Sequence, residues 1–193
     1  MSAKKLTGNK RIVNDCCIDI FNYIQKWKSV SSDCYSTIKN ICLLKQKELH
    51  EQKLFNQGEL EEVSSEALTL ELTNLSSELQ LKLSKLEAIV KKMTDIPRKF
   101  KALLELSELQ QSTDSDFVSK VSRYSEAADE IQQMYRKEFR MKSSIAKEIC
   151  ILSKESELTF FEAYWKYEPN IDREIVDELT KCFIYELDLN SYL

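Results

Sequence analysis

The feature that most constrains this chain is its shortage of turn-forming residues: it holds two glycines and two prolines among 193 residues. At average usage a chain of this length would hold roughly 13 glycines and 10 prolines. Sheet-rich folds need these residues at their turns, whereas long helices do without them. Charged residues make up 31% of the chain and hydrophobic residues 42%, a mixture that suits long helices with solvated faces. The composition therefore predicts an all-α protein.

The spacing of the apolar residues predicts where the first helices lie. From residue 12 to 27 they recur at steps of three and four, as on one face of an amphipathic helix. Residues 29–33 are polar and offer several N-cap side chains, so we expect them to interrupt or kink this helix. A second helix is predicted over residues 35–49, and Gly58 lies in the polar break that follows it.

Residues 59–96 carry the clearest heptad pattern of the chain. A single polar residue, Lys82, interrupts the apolar series. It could specify the register or the number of partner helices, or its neighbours Leu81 and Leu83 could absorb a local shift. Pro97 is expected to end or kink the helix. The apolar heptad positions are Leu68, Leu72, Leu75, Leu79, Leu86, Ile89 and Met93.

The second half of the chain is predicted to begin after a polar linker at residues 110–116, which separates residues 1–109 from residues 117–193. A long helix starts near Asp116, and its apolar seam is expected to drift across the helix face near Glu138. An aromatic-rich helix follows at residues 156–167, and Asn170 can cap a last helix. The predicted fold is all-α: elongated antiparallel helical hairpins or coiled coil with short C-terminal helices.

Charge is segregated along the chain although its formal net value is only −4. The basic group Arg136, Lys137, Arg140 and Lys142 contrasts with acidic stretches at residues 51–78 and 168–188. Such groups usually solvate helix faces, and the alternative is partner selection by complementary charge. Nucleic-acid binding is weakly supported, because the basic runs lack the density and interleaved aromatics that phosphate tracking needs.

No residue pattern in the sequence points to catalysis. His50 is the sole histidine, and the six cysteines include no CxxC pair. Two glycines cannot form a phosphate-binding loop. We therefore expect no enzyme activity, no cofactor and no metal. There is no apolar signal segment or membrane span, so we expect an intracellular protein with reduced thiols that serve as small core residues.

Large aromatic and basic residues are the candidate partner-binding positions. Interface centres favour Trp, Tyr and Arg, because these side chains bury large areas and satisfy their polar ends. Core packing is the alternative for the aromatic candidates. Residues 160–167 carry more rings than one helix face can bury, so either a partner covers some of them or the C-terminal helix folds back. The candidates are Trp27, Tyr135, Arg136, Lys137, Arg140 and Trp165.

Two parts of the chain resemble a known family. Residues 134–142 (MYRKEFRMK) and 145–149 (IAKEI), followed by the helix with Trp165, are similar to the C-terminal part of the cyclin-dependent kinase 2-interacting protein family. Residues 24–27 (IQKW), 38–41 (IKNI) and 43–45 (LLK) resemble its N-terminal part in order and spacing. The resemblance implies a non-enzymatic nuclear protein that connects replication kinases with checkpoint signalling. It also implies a component of an AAA-type ATPase assembly that remodels replication complexes and maturing ribosomal particles.

The function expected from these observations is an adaptor subunit of a nuclear hetero-oligomer that binds replication kinases or AAA-type ATPase subunits. Neither nucleic acid nor membrane is expected as a partner. Nuclear entry would depend on a partner or on the short basic pairs Lys4-Lys5 and Lys10-Arg11. The alternative is a structural coiled-coil component of a tether or kinetochore complex. A constitutive rod should keep its heptads running, whereas the register of this chain is predicted to break at Pro97, at residues 110–116 and near Glu138, which favours the adaptor.

Overall fold

The computed structural model describes residues 8–58, 65–109 and 114–187. Within them the chain forms five α-helices and a short 3-10 turn at Ile149–Ile151, and no strand, which confirms the all-α prediction. The predicted pairs Lys4-Lys5 and most of the linker at 110–116 lie outside the described residues. The helices are α1 (Asn9–Asn56), α2 (Ser65–Leu109), α3 (Ser115–Glu148), α4 (Glu155–Tyr167) and α5 (Arg173–Leu187).

The described residues group into two compact units, each assembled from separate stretches of the chain. Unit 1 comprises Met1–Trp27, Ile89–Arg136 and Ile171–Leu193, and unit 2 comprises Lys28–Ala88 and Lys137–Asn170. Each unit thus combines residues from both sides of the predicted linker. That linker stays a prediction, since its first residues are not described and residues 114–116 already cap and begin α3.

Helix α1 is continuous through residues 29–33, so the prediction that these residues interrupt it and that a second helix begins at residue 35 is wrong, whereas the alternative of a kink stays a prediction. Ser31 is buried, and its hydroxyl donates a hydrogen bond to Glu168 at 2.7 Å. It therefore takes a core position of the helix instead of capping a new one. The buried positions keep steps of three and four throughout: Val13, Cys17, Ile20, Ile24, Trp27, Ser31, Cys34, Ile38, Ile41 and Lys45.

Helix α2 confirms the heptad pattern and extends it beyond the predicted end. Pro97 lies inside the helix, so of the two predicted outcomes the helix end is wrong and the kink stays a prediction. A proline in a helix interior removes a backbone hydrogen bond and costs about 3 kcal/mol. Here the neighbouring seam residues Met93, Ile96 and Phe100 are all buried, and their packing offsets that cost.

Helix α3 also differs from its prediction. Its N-terminus is capped by Asp114, whose side chain accepts a hydrogen bond from the Phe117 amide at 3.0 Å, and not by Asp116. The seam does not drift near Glu138. Buried residues continue at steps of three and four, and two of them are charged. The series is Val121, Tyr124, Ala128, Ile131, Tyr135, Glu138, Lys142, Ile145 and Ile149.

Unit 1 packs mainly through aromatic and aliphatic side chains. Gln132 donates to Thr94 at 3.1 Å, and Phe100 meets Tyr124 with ring centroids 6.2 Å apart. Residue numbers on α2 rise as those on α3 fall, so these two helices are antiparallel. Phe183 of α5 also packs against Tyr124, at 5.4 Å between centroids. The unit therefore has a continuous aromatic row at its centre.

Unit 2 joins α1 to α2 through polar contacts at the seam. Thr37 donates to Glu78 at 3.0 Å, and Lys82 lies 2.6 Å from the same carboxylate. Lys82 also donates to the Thr37 hydroxyl and to the Asp33 main-chain oxygen. Pairing 33 with 82 and 37 with 78 makes the two helices antiparallel in this unit. The polar seam residue thus fixes an interhelical register within one chain.

The C-terminal helices follow the predicted order with different caps. α4 ends at Tyr167, before Pro169, as expected. Asp172, and not Asn170, caps α5: its side chain accepts hydrogen bonds from the Glu174 and Ile175 amides, both at 3.1 Å. The buried residues at α5 are Ile171, Val176, Thr180 and Phe183, whereas Ile175 and Cys182 are exposed.

Candidate partner-binding surface

The six predicted partner-binding residues fall into a buried group and an exposed group. Trp27, Tyr135 and Trp165 are buried, whereas Arg136, Lys137 and Arg140 are exposed. Trp27 and Tyr135 meet edge to face in unit 1, with centroids 5.2 Å apart and ring planes at 90°. The core interpretation of the aromatic residues fits this packing. Their contact with a partner stays a prediction, and one that would require the packing to open.

Trp165 lies beside a cluster of buried charges in unit 2. We use the term buried polar cluster for Glu138, Lys142 and Glu168. The Lys142 ammonium is fully buried, 3.6 Å from Glu138 and 3.4 Å from Glu168. It donates to the Trp165 main-chain oxygen at 3.0 Å and lies 4.5 Å from the centre of the indole ring. One cation therefore joins α3, α4 and the turn that follows α4.

The turn after α4 is shaped to meet this cation. Glu168 has a φ of 51°, a left-handed conformation that is uncommon for residues other than glycine. Its amide donates to the Tyr164 main-chain oxygen and closes the end of α4. Its carboxylate accepts the hydrogen bond from Ser31 of α1. Four chain segments thus converge on the buried polar cluster, which explains why a strained residue is tolerated there.

Glu138 is held from the other side by Asn170. Its Oε2 atom accepts hydrogen bonds from the Asn170 backbone amide at 3.1 Å and from the side-chain amide at 3.0 Å. The same side-chain amide contacts the Tyr164 hydroxyl. Asn170 was predicted to be a helix cap, and the structure makes it a partner of a buried carboxylate instead.

Burial controls the protonation of the cluster. It raises the pKa of the Glu138 carboxyl, which Lys142 and Asn170 only partly oppose. It lowers the pKa of the Lys142 ammonium, against the attraction of Glu168 and Glu138. Both shifts disfavour the charged forms. Among the described residues, Glu138 Oε1 and Trp165 Nε1 are buried atoms without a hydrogen-bond partner, so the cluster is incompletely satisfied.

The face of α3 opposite the seam forms a basic surface. We use the term basic stripe for Lys137, Arg140, Ser144 and Lys147, which follow one another at steps of three, four and three. Lys137, Arg140, Ser144 and Lys147 are exposed, and none of the three cations forms an ion pair with any described residue. Met141 beside the stripe is 41% exposed. Arg136, at the end of unit 1, is exposed as well.

One aromatic ring of α4 is buried and others are exposed, as expected from their number. Trp165 is buried, whereas Phe160 is 61% and Tyr167 67% exposed. Phe160 lies 6.1 Å from Phe161 and 6.2 Å from Tyr164 between ring centroids. The exposed rings confirm that one face of α4 cannot bury them all.

The described residues were predicted to hold no metal site and to keep their cysteines in the core. No group of three or more potential ligands among these residues is arranged to hold a metal ion. His50 is exposed, and Cys16, Cys17, Cys34 and Cys42 are buried as expected. Burial raises the pKa of Cys16 and Cys34 to about 11 and that of Cys42 to about 12, so these thiols stay protonated. None of the described helices is both long and apolar enough for a transmembrane segment.

Fold and surface together define an all-α protein of packed antiparallel helices. No protein-family model matches the chain. It is 25% identical over 180 residues to the human (Homo sapiens) cyclin-dependent kinase 2-interacting protein and 24% identical over 176 residues to the Xenopus laevis protein of the same name. Both alignments cover 88% of this chain and 85% of the relative. The chain is a distant homologue of the cyclin-dependent kinase 2-interacting protein family.

Proposed function

We propose that this chain is a non-enzymatic helical adaptor that binds a cyclin-dependent kinase or an AAA-type ATPase within a nuclear assembly. The observation that carries the proposal is the extent of the homology, which covers 88% of this chain and 85% of two relatives named for binding such a kinase. A match of that extent is longer than any single helix of the chain, so it is more than one shared coiled-coil segment.

The structure supports binding over catalysis through the distribution of its polar groups. The Lys142 ammonium and the carboxylates of Glu138 and Glu168 are buried in unit 2. The exposed groups of α3 and α4 include cations and aromatic rings, and Arg, Tyr and Trp are side chains that protein interfaces favour. The adaptor would act in DNA replication, checkpoint signalling and genome maintenance, and in the remodelling of replication complexes and pre-ribosomes.

The predicted contact residues now divide into two groups with different tests. Arg136, Lys137 and Arg140 are exposed and can meet a partner directly. Trp27, Tyr135 and Trp165 support the helices that present this surface. Truncating an exposed contact should reduce partner recovery while the protein stays folded. Truncating a buried ring should lower the melting temperature as well.

The test is affinity purification of the full chain from a nuclear extract, with quantitative mass spectrometry of the recovered proteins. The proposal expects enrichment of a cyclin-dependent kinase or an AAA-type ATPase over a tag-only control. Enrichment of tether or kinetochore subunits alone would support the structural coiled-coil alternative and overturn the adaptor. ATP turnover by the partner-free chain, abolished by a point substitution in it, would contradict a non-enzymatic role.

A further inference from the structure

We infer that the basic stripe of α3 is the docking site for an acidic helical segment of a partner protein. The inference rests on the adaptor function proposed above and specifies the chemistry of its partner. It uses Lys137, Arg140, Ser144 and Lys147, all within unit 2 and all exposed.

The spacing of the stripe suits a helix. Steps of three, four and three keep side chains on one line along an α-helix, as the a and d positions of a heptad do. The ten residue steps from Lys137 to Lys147 rise about 15 Å, roughly three turns. The buried seam of α3 has the same spacing on the opposite face. Helix α3 therefore has two parallel rows of side chains. One row packs against other helices of the same chain, and the other is exposed.

The charge of the stripe requires an acidic occupant. Between residues 136 and 147 the only acid is Glu138, and it is fully buried against Lys142. No carboxylate of this segment is left to offset the exposed cations. Elsewhere on the described surface, cations such as Lys47, Arg98 and Lys154 form ion pairs with acids one helical turn away. Glutamates spaced along a partner helix would supply the missing carboxylates.

Exposed apolar side chains near the basic stripe favour a folded protein segment as its occupant. Met141 is 41% exposed next to Arg140, and Ile151 is 78% exposed beyond Lys147. Met adapts to irregular surfaces and is common at helix-binding sites. Nucleic acid fits less well, because only three cations line the stripe, no aromatic ring lies among them, and the whole chain carries a net charge of −4.

The direct test uses a synthetic probe and the full chain. The probe is a fluorescent 21-residue helical peptide with glutamate at the first and fourth positions of each heptad and alanine or glutamine elsewhere. Fluorescence anisotropy should show saturable binding that weakens as salt is raised. Arg140→Glu/Lys147→Glu should weaken binding about tenfold or more, because two attractions become repulsions.

A matched variant separates the stripe from net charge. Lys28→Glu/Lys85→Glu changes the charge of the chain equally at two exposed positions of the same unit, and it should bind the probe as the wild type does. All variants should melt at the wild-type temperature. Equal weakening by both double variants would overturn the inference. So would equally tight binding of the same peptide with two central prolines, or of a single-stranded oligonucleotide of equal charge.

The partner itself gives the second test. In the purification described above, Arg140→Glu/Lys147→Glu should lose the kinase or ATPase that wild type and Lys28→Glu/Lys85→Glu recover. If the wild type recovers neither, the proposed function fails. If all three chains recover the partner equally, the function stands and the docking site proposed for α3 is wrong.

Discussion

The two units of the molecule bury different kinds of polar residue. In unit 1 the buried polar residues among those described are neutral: Ser107, Ser125, Gln132 and Thr180. In unit 2 they include four charged residues: Lys45, Glu138, Lys142 and Glu168. The same three long helices contribute to both units. Both units use the same heptad spacing of buried positions. They differ in whether the polar residues at those positions are neutral or charged.

This difference indicates that unit 1 contributes mainly to stability, whereas unit 2 contributes mainly to the specificity of helix packing. Buried apolar and aromatic side chains, as in unit 1, stabilise a fold through area removed from water. A buried ion cluster adds little net stability, because desolvation opposes the attraction between its charges. It can instead specify one arrangement of helices, since any other leaves a charge unpaired. We interpret the buried polar cluster as such a device for placing α4 against α3.

The largest expected effect comes from removing the cation of the cluster. Lys142→Met leaves Glu138 and Glu168 buried without their counter-ion. Breaking a buried pair in this way costs about 3–5 kcal/mol. Chemical denaturation, followed by circular dichroism, should show a free energy of unfolding lowered by that amount.

Second-site substitutions sharpen this result. Glu138→Gln and Glu168→Gln keep acceptors for Asn170 and Ser31 while removing the charges. Added to Lys142→Met, they should restore most of the lost stability, because no unpaired charge remains. A triple variant as unstable as the single one would mean that Lys142 acts through its packing and not its charge.

The next effect is on pH dependence. Burial raises the pKa of Glu138 above its ordinary value of 4.5. The groups facing it are Lys142, Glu168, Asn170 and Tyr164. Between the unfolded and the raised folded value, the folded chain binds more protons than the unfolded chain. The free energy of unfolding should therefore fall as pH rises through this window, by up to about 1.4 kcal/mol per pH unit.

Glu138→Gln isolates this contribution, because it removes the titrating group and keeps its shape. The difference in unfolding free energy between the variant and the wild type should increase as pH rises from 4.5. Urea titrations at half-unit steps of pH up to 7 measure it. A difference that stays constant over that range would show that Glu138 titrates normally.

A smaller effect is expected from a matched change in unit 1. Phe100→Leu removes a ring that contacts Tyr124 in the aromatic row but leaves an apolar side chain of similar size. We expect a loss of about 1 kcal/mol that does not vary between pH 4.5 and 7. Urea denaturation at the two pH values checks this. A loss of unfolding free energy that varied with pH would contradict the expected difference between the neutral interior of unit 1 and the charged interior of unit 2.

The smallest expected effect concerns the thiols. Cys182 is exposed, whereas Cys16, Cys34 and Cys42 are buried with pKa values raised to about 11 or 12. A thiol reagent at pH 8 should label Cys182 first, with no change in melting temperature. Mass spectrometry of partly labelled protein identifies the site. Rapid labelling of Cys34 or Cys42 in the native state would show that unit 2 opens readily.

Much of the fold could be predicted from the sequence, because steps of three and four indicate helices directly. The heptad of α2 and the aromatic helix near residues 156–167 were predicted on that ground. Each wrong break, at residues 29–33, at Pro97 and near Glu138, came from a polar residue or a proline at a seam position. A polar residue normally ends the apolar face of a helix, so the residue pattern alone predicted a break at these three places.

The partners of those seam residues could not be found from the sequence. Glu138 is buried because Lys142, Asn170 and the turn at Glu168 surround it, and two of these lie about 30 residues away. One signal was available: positions 138 and 142 continue the spacing of Tyr135 and Ile145 and carry opposite charges. Charged pairs that keep a heptad in phase are therefore candidates for buried clusters.

The most direct test of an outward-facing partner surface on α3 is site-specific photocrosslinking in a nuclear extract. A photoreactive phenylalanine replaces exposed Ser144 in the basic stripe or, as the control, exposed Gln80 on α2 of the same unit. Crosslinked proteins are identified by mass spectrometry. The account predicts a kinase or ATPase crosslinked from position 144 and absent or much weaker at position 80. Equal crosslinking from both positions, or crosslinking from position 80 alone, would contradict it.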